Sequence, residues 1–384
     1  MDSLKVGDRG ILERRDFPTL FRALHANGYQ VVGPTVRDGA IVYDHLSGVD
    51  DLPIGWTDRQ GPGKYRLERR SDEALFGYTV GPFSWKKFLY PSHERLWTAT
   101  RDGPSFTVSP ERNDGPPLAF FGMRACELAG VAVQDRVFLG GPVADPGYAA
   151  RRRRILRIAV QCGQAGGTCF CVSMGTGPGV RSGADLILTE IIEKGRHHFL
   201  VEVGSPEGAG ILAEVPLSPA KPSDSTRAEE IVAHTAASMG RSMNTEGIHE
   251  ALMTNLEHPR WEIVARRCLS CTNCTMVCPT CFCSNQEEVP TLSVEKVERW
   301  RRWDSCFNLG LTEMHGQAIR KSTLSRYRQW LTHKLATWQD QFGTSGCVGC
   351  GRCITWCPVG IDLTEEVAAI RTVPTPTATP EGKK

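Results

Sequence analysis

Two segments of the chain carry one cysteine spacing. Cys268, Cys271, Cys274 and Cys278, followed by Pro279, and Cys347, Cys350, Cys353 and Cys357, followed by Pro358, both read C-x2-C-x2-C-x3-C-P. Three thiolates two residues apart can wrap a short loop around one cube of iron and sulfide, and the fourth must come from elsewhere. In proteins with two such runs the fourth Cys of each ligates the other cluster. The spacing therefore predicts Cys268, Cys271, Cys274 and Cys357 on one [4Fe-4S] and Cys347, Cys350, Cys353 and Cys278 on a second. Zinc sites also use C-x2-C pairs and four thiolates, but a repeated three-gap spacing with the same trailing Pro argues against zinc.

Seven of the fifteen cysteines lie outside these runs. The pair Cys169-x-Cys171 can hold adjacent corners of a cube, Cys162 lies on the same loop, and Cys126 can converge from a neighbouring strand end. These four are a candidate set for a third [4Fe-4S], with buried free thiols as the alternative. Cys281, Cys283 and Cys306 do not complete a four-coordinate site alone and are expected to pack against the clusters.

The remaining composition narrows the class. A chain of 384 residues suffices for two or three domains, and an apolar fraction of 40% suffices for a packed core. Dense cysteine usage points to metal or redox chemistry in a reducing compartment. Met1-Asp2-Ser3-Leu4-Lys5 lacks a signal-peptide pattern and no apolar run is long enough to span a bilayer, so a cytoplasmic protein is expected. A net charge of +2 does not favour nucleic acid; the basic run Arg151 to Arg154 reads as a solvated face or a patch for an acidic partner. The ten His show no metal spacing, and neither a G-x-G-x-x-G after a strand nor a P-loop is present.

The elements that position these cysteines divide the chain. Phe17 to Leu24 reads as a short helix, and Gln30 to Val36 and Ala40 to Leu46 as strands around the turn signal Asp38-Gly39. Residues 50 to 64 read as loop, with Trp56 as a packing anchor. Leu118 to Gly122 is a buried-strand run followed by a helix from Ala125 to Leu139, which puts Cys126 at the turn. Ile155 to Val160 is a second strand and delivers Cys162 past its carboxyl end, where open α/β sheets place ligands. The glycines between Gly166 and Gly179 suit close backbone approach to a cofactor. Asp185 to Ile192 and His198 to Val203 extend the sheet, and residues 204 to 224 read as a linker.

Beyond it the character becomes helical. Thr226 and Glu229 form a capping-box signal for a helix to about Met239, and Pro259 can open the helix that delivers Cys268. The stretch between the runs shows little strand pattern and has a long helical segment from Leu311 to Gln341. The expected fold is thus α+β: an N-terminal α/β domain over 1–222 with the third cluster set, then an all-α, helical ferredoxin-type two-[4Fe-4S] domain over 223–371. Residues 372–384, rich in Pro and Thr, are expected to be a disordered tail. Arg266, Arg267 and Arg352 lie near ligands in sequence, and positive charge facing a cluster would favour its reduced form.

The segment Gly122-Met123-Arg124-Ala125-Cys126-Glu127-Leu128, Cys162 with Thr168-Cys169-Phe170-Cys171, Ser173 to Pro178, Cys278-Pro279-Thr280-Cys281-Phe282-Cys283 and Trp303-Asp304-Ser305-Cys306 together resemble the β subunit of cytoplasmic sulfhydrogenases, the group 3b NADP-linked [NiFe] hydrogenases. The resemblance runs from about Val80 to Asp362. It implies a non-catalytic iron–sulfur electron-transfer subunit, in complex with [NiFe] hydrogenase large and small subunits and a flavin subunit that handles NAD(P)H. It also implies ligand roles for Cys126, Cys162, Cys169 and Cys171. The A subunit of anaerobic sulfite reductase has a similar plan and gives an alternative electron-transfer role. A heterodisulfide-reductase-type subunit is a further alternative, disfavoured because the chain has no Cys-Cys dipeptide.

Overall fold

The computed structural model describes residues 4–111, 114–193, 195–293 and 295–372; the expected tail lies almost wholly outside the described residues. The strands are β1 Arg9–Glu13, β2 Gln30–Arg37, β3 Ala40–His45, β4 Trp56–Gly61, β5 Lys64–Arg69, β6 His93–Asp102, β7 Ser105–Pro110, β8 Leu118–Met123, β9 Ile155–Val160, β10 Leu186–Glu193, β11 Arg196–Val203, β12 Ser218–Pro219, β13 Ser284–Pro290, β14 Lys296–Trp303 and the short pair β15 Glu313–Met314 and β16 Gln317–Ala318. The main sheet has the order β12-β1-β11-β10-β9-β8-β2-β3. Its four central strands, β2, β8, β9 and β10, run parallel, and antiparallel strands close both edges.

Both faces of this sheet are covered, which is why β8 and β9 read as continuous apolar runs rather than alternating ones. Successive residues serve opposite cores. Phe121 and Ile158 pack toward the helices Pro18–Ala26 and Pro206–Leu212 with Leu20, Phe21 and Ile211. Phe120 and Ala159 pack on the other face with Ala125, Leu128 and Val131 of the helix Ala125–Leu139. Phe17 anchors the first core, its ring 4.4 Å from Phe199 and edge-on to Phe121 at 6.0 Å.

A second core gathers the cysteine runs. Trp261 and Val264 of the helix Arg260–Arg267 pack with Tyr327, Trp330 and Leu331 of the helix Thr323–Thr332 and with Leu363, Val367 and Ile370 of the C-terminal helix Leu363–Arg371.

Several sequence expectations are corrected. The segment between the runs is not purely helical: β13 and β14 join β6 and β7 in a four-stranded antiparallel sheet of order β13-β14-β6-β7. The mixed α/β character thus extends into the dicluster part of the chain, and one sheet takes strands from both sides of residue 222. Alternating charge and aromatics, as in Lys296-Val297-Glu298-Arg299-Trp300, leave an edge-sheet pattern that is weak without its partner strands. Helix begins only at Thr323 and continues to Phe342.

The supposed linker holds a helix whose first turn is capped by Ser205, its Oγ accepting from Gly208 N at 3.1 Å. The next helix starts at Pro222, four residues before the expected capping box; Asp224 Oδ2 accepts from Lys221 N at 2.8 Å, and Thr226 lies inside the helix, donating to Pro222 O. This helix packs Ala228 against Ile11, Ile191 and Leu200 of the main sheet. Residues 56 to 69, read partly as loop, form the hairpin β4–β5.

Phe17→Ala removes the ring at the centre of the first core and is expected to cost about 3–5 kcal/mol. Phe106→Ala, on the exposed face of β7, is expected to stay within about 0.5 kcal/mol. Anaerobic urea unfolding of the two variants measures the difference, and equal losses would place the core elsewhere.

Candidate functional site

The two cysteine runs fold alike. In the first, Ser270 and Thr272, flanking the second cysteine, are left-handed with φ of 52° and 68°; in the second, Gly349 and Gly351 take the same places with φ of 64° and 74°. This curl turns the backbone amide two residues on toward the first sulfur. Ser270 N donates to Cys268 Sγ at 3.4 Å, and Gly349 N donates to Cys347 Sγ at 3.4 Å. A one-turn helix follows in each case, Asn273–Met276 and Arg352–Thr355, and carries the third cysteine.

The residue types differ for a steric reason. A Cβ on Gly349 would lie 2.7 Å from the Cys171 backbone, and one on Gly351 would lie 2.4 Å from Thr168 O. The loop bearing Cys169 and Cys171 is thus pressed against the second run, with Phe170 N donating to Gly349 O at 2.9 Å.

The sulfurs fall into three groups. Cys268, Cys271, Cys274 and Cys357 line one cavity, which Cys353 also touches. Cys126, Cys162, Cys169 and Cys171 line another, which Cys350 touches. Cys278 lies close enough to Cys347, Cys350 and Cys353 to act on all three electrostatically. The fourth cysteine of each run therefore stands with the other run. Cys271 is the exposed member; Cys278, Cys347, Cys350, Cys126 and Cys171 are buried.

Burial pushes the Cys347 and Cys171 thiols up to about 12 and those of Cys274 and Cys353 well above their ordinary value. Thiolates at these positions need a cation beside them, a role that iron held by these cysteines would fill. Mirrored amide donors aimed at ligand sulfurs are a second feature that fits a cluster.

The third group is built by the main sheet. Cys126 lies in the first turn of the helix after β8, Cys162 lies two residues beyond β9, and both are at carboxyl ends of parallel strands. Arg124, buried, is held by three carbonyls: Nη1 donates to Gln161 O at 3.2 Å, and Nη2 to Phe76 O at 2.9 Å and Tyr78 O at 3.0 Å. It lies beside Cys162, offsetting the upward push of burial on that thiol.

The β4–β5 hairpin, unread in the sequence, braces the site. Gln60 Oε1 accepts from Thr168 Oγ1 at 3.1 Å and from Thr355 Oγ1 at 2.9 Å. Gly63 N, at the hairpin tip, donates to Ile354 O at 3.1 Å, and a Cβ there would lie 2.9 Å from Cys357 O. A larger groove of about 670 Å³ lies between the main sheet and the helices Ala125–Leu139 and Pro222–Ala237, and no cysteine lines it.

Two buried cations stand against the second run. Arg352, fully buried, donates through Nε to Gly81 O at 2.9 Å and through Nη2 to Glu127 Oε1, which also accepts from Tyr43 Oη at 2.7 Å. Lys334 Nζ donates to Cys278 Sγ at 3.3 Å, Cys281 Sγ at 3.4 Å, Thr280 Oγ1 at 3.4 Å and Gly346 O at 3.2 Å. By contrast, Arg266 is exposed and pairs with Glu262, and Arg267 reaches Gly360 O and Glu366. Cys281 contacts Cys278, and Cys283 contacts Cys306, whose hydrogen bond and the nearby Lys334 charge draw the Cys283 thiol down to about 7. Sequence reasoning passed over Lys334 and Arg124. The available signal for Lys334 was one charge set among Leu331, Leu335 and Ala336.

Residues 267–361 match the 4Fe-4S dicluster domain, so this part of the chain is an iron–sulfur module for two [4Fe-4S] clusters. Over 359 residues, 92% of its length and 96% of the relative's, the chain is 27% identical to sulfhydrogenase 2 subunit beta of Pyrococcus furiosus. The likeness to hydrogenase β subunits read from the motifs is thereby borne out. No solved structure matches the chain.

Glu127→Leu leaves the Arg352 guanidinium buried without its carboxylate, with an expected loss of about 3–5 kcal/mol. Adding Arg352→Met removes the stranded charge and should restore most of that stability. Anaerobic denaturant unfolding of the single and double variants checks this, and a double variant no better than the single one would overturn it.

Proposed function

We propose that this chain is the iron–sulfur electron-transfer subunit of a multi-subunit hydrogenase, carrying electrons between a flavin subunit that handles NAD(P)H and a [NiFe] catalytic module. When bound, each [4Fe-4S] cluster takes up and gives back one electron. Cys268, Cys271, Cys274 and Cys357 would hold the first, Cys347, Cys350, Cys353 and Cys278 the second, and Cys126, Cys162, Cys169 and Cys171 the third.

The observation that carries this reading is the placement of the second run between the other two sets. Cys353 reaches into the first cavity and Cys350 into the third. A chain that only needed structural metal has no reason to string three sets in line, whereas a relay needs neighbouring sites at short range. Cys271, the exposed ligand, marks the end of the line open to a partner, and the parallel sheet positions the far end. The name of the Pyrococcus furiosus relative supports a hydrogenase as the assembly. Among the described residues no helix is long and apolar enough to cross a membrane.

Anaerobically purified protein should contain about 12 iron and about 12 acid-labile sulfide per chain, and Cys171→Ala about 8 of each, as three cubes and two cubes require. A wild-type value of about 8 would remove the third set from the ligands. In the assembled complex, Cys271→Ala should abolish electron flow from NAD(P)H while sparing hydrogen–deuterium exchange at the separate catalytic subunit. Loss of that exchange as well would count against a pure relay.

A further inference from the structure

Lys334 has an unusual setting for a lysine. Its side chain is 2% exposed, and its ammonium donates to two sulfurs, one hydroxyl and one carbonyl. Among the described residues no carboxylate lies within ion-pair distance of it, whereas Arg352, also buried beside the second run, is neutralised by Glu127. An ammonium taken out of water without a counter-charge is strongly destabilising. The chain nevertheless goes out of its way to bury this one. The helix from Thr323 widens into a π-helical turn at His333–Thr337, in which Lys334 sits, before resuming at Trp338. Such turns cost hydrogen-bond quality and are concentrated at functional positions. The Trp338 ring lies 5.6 Å from the ammonium, which donates on its other side to the sulfurs of Cys278 and Cys281. A second buried lysine, Lys86, donates to Cys281 O at 3.1 Å and stands over the Trp303 ring at 3.8 Å; its charge also acts on Cys278, but Lys334 is the one that bonds the sulfur directly.

We propose that Lys334 is the built-in counter-ion of the cluster held by Cys278, Cys347, Cys350 and Cys353, stabilising its reduced form and so raising the reduction potential of the middle station of the relay. The assignment rests on the ligand reading given under Proposed function. Reduction adds one negative charge to a cluster whose thiolates and sulfides already make it anionic. A fixed ammonium 3.3 Å from a ligand sulfur favours that added charge, and it keeps doing so when the partner subunits are changed. Lys334 is therefore a positioning and tuning residue rather than a ligand.

The test is an anaerobic redox titration followed by electron paramagnetic resonance on the whole complex. Cys347→Ala identifies which reduced-cluster signal belongs to the second set. In Lys334→Met that signal should titrate lower, with the ratio of reduced to oxidised cluster at a fixed poise falling at least tenfold, about 59 mV for one electron. The other signals should move less, and Lys334→Arg should stay near wild type. An unmoved potential in Lys334→Met with the cluster present would falsify the proposal. If Lys334→Met loses the cluster and Lys334→Arg keeps it, the charge itself is required, in agreement with a counter-ion. Loss in both variants would mean that shape rather than charge is being read, and the proposal falls. Should Cys347→Ala remove no discrete signal, the ligand reading fails instead, independently of Lys334.

Discussion

A thiolate does not survive in an apolar interior without positive charge beside it. That constraint governs this chain, because most of the cysteines brought together at its three sites are wholly or partly withdrawn from solvent. Without metal, burial favours the protonated form of Cys274, Cys347 and Cys353; with metal bound, the protons would leave and the same packing would become favourable. Folding and metal uptake are therefore one process for the second core. The polar groups sunk around the second run follow from the same cause. Lys334 and Arg352 are tolerated there because sulfur or a carboxylate stands next to each, and Arg124, at the third set, because three backbone carbonyls hold it beside Cys162.

The exchange of fourth cysteines imposes a topology. Cys278 must reach the second run and Cys357 must return to the first, so the long segment between them has to leave and come back to nearly one place. The chain solves this by fastening that segment to the N-terminal half through β14, which pairs with β6. Arg301 on β14 locks the junction, bonding Glu94 and Asp145 from elements far earlier in sequence. The hairpin β4–β5 reaches across in the other direction and supports Cys357 from outside. Neither half could hold its cysteines in register if cut at residue 222, because the helix that begins there also donates Thr235 Oγ1 to Cys162 O at 2.8 Å.

How much of this could be read from residues alone depends on the range of the interaction. The strands β2, β3, β8, β9, β10 and β11 were legible because each carries its own apolar pattern, fixed by burial on both faces of one sheet. The two cysteine runs of the dicluster domain were legible because spacing within a run is local chemistry. The hairpin at 56–69 was not legible and residues 50 to 64 read as loop, since Asp, Arg and Gln dominate β4 and its contacts are with Thr168, Thr355 and Ile354, more than a hundred residues away. The strands β13 and β14 were missed for the same reason: their charges pair across the sheet, as Arg95 does with Glu298 at 2.9 Å, and give no period along the chain. Lys334 was hidden because a single lysine in a helical stretch looks solvent-facing until the π-turn rotates it inward.

Two glycines settle how closely the third set of cysteines packs on the second run. The left-handed turns of the first run are made by Ser270 and Thr272, so the cluster loop itself does not demand glycine. At the corresponding places of the second run, Gly349 and Gly351 are required because the third set is packed directly on them, with no room for a Cβ. Any side chain at either position would have to push the Cys169–Cys171 loop away from Cys350. Tunnelling between metal centres weakens steeply with separation, so under the function proposed above such a shift would slow transfer to the third set while leaving every proposed ligand in place. In the proposed relay the absence of two methyl groups would matter as much as the sulfurs, and the close approach of the Cys169–Cys171 loop explains why one of two otherwise matching runs is glycine-rich.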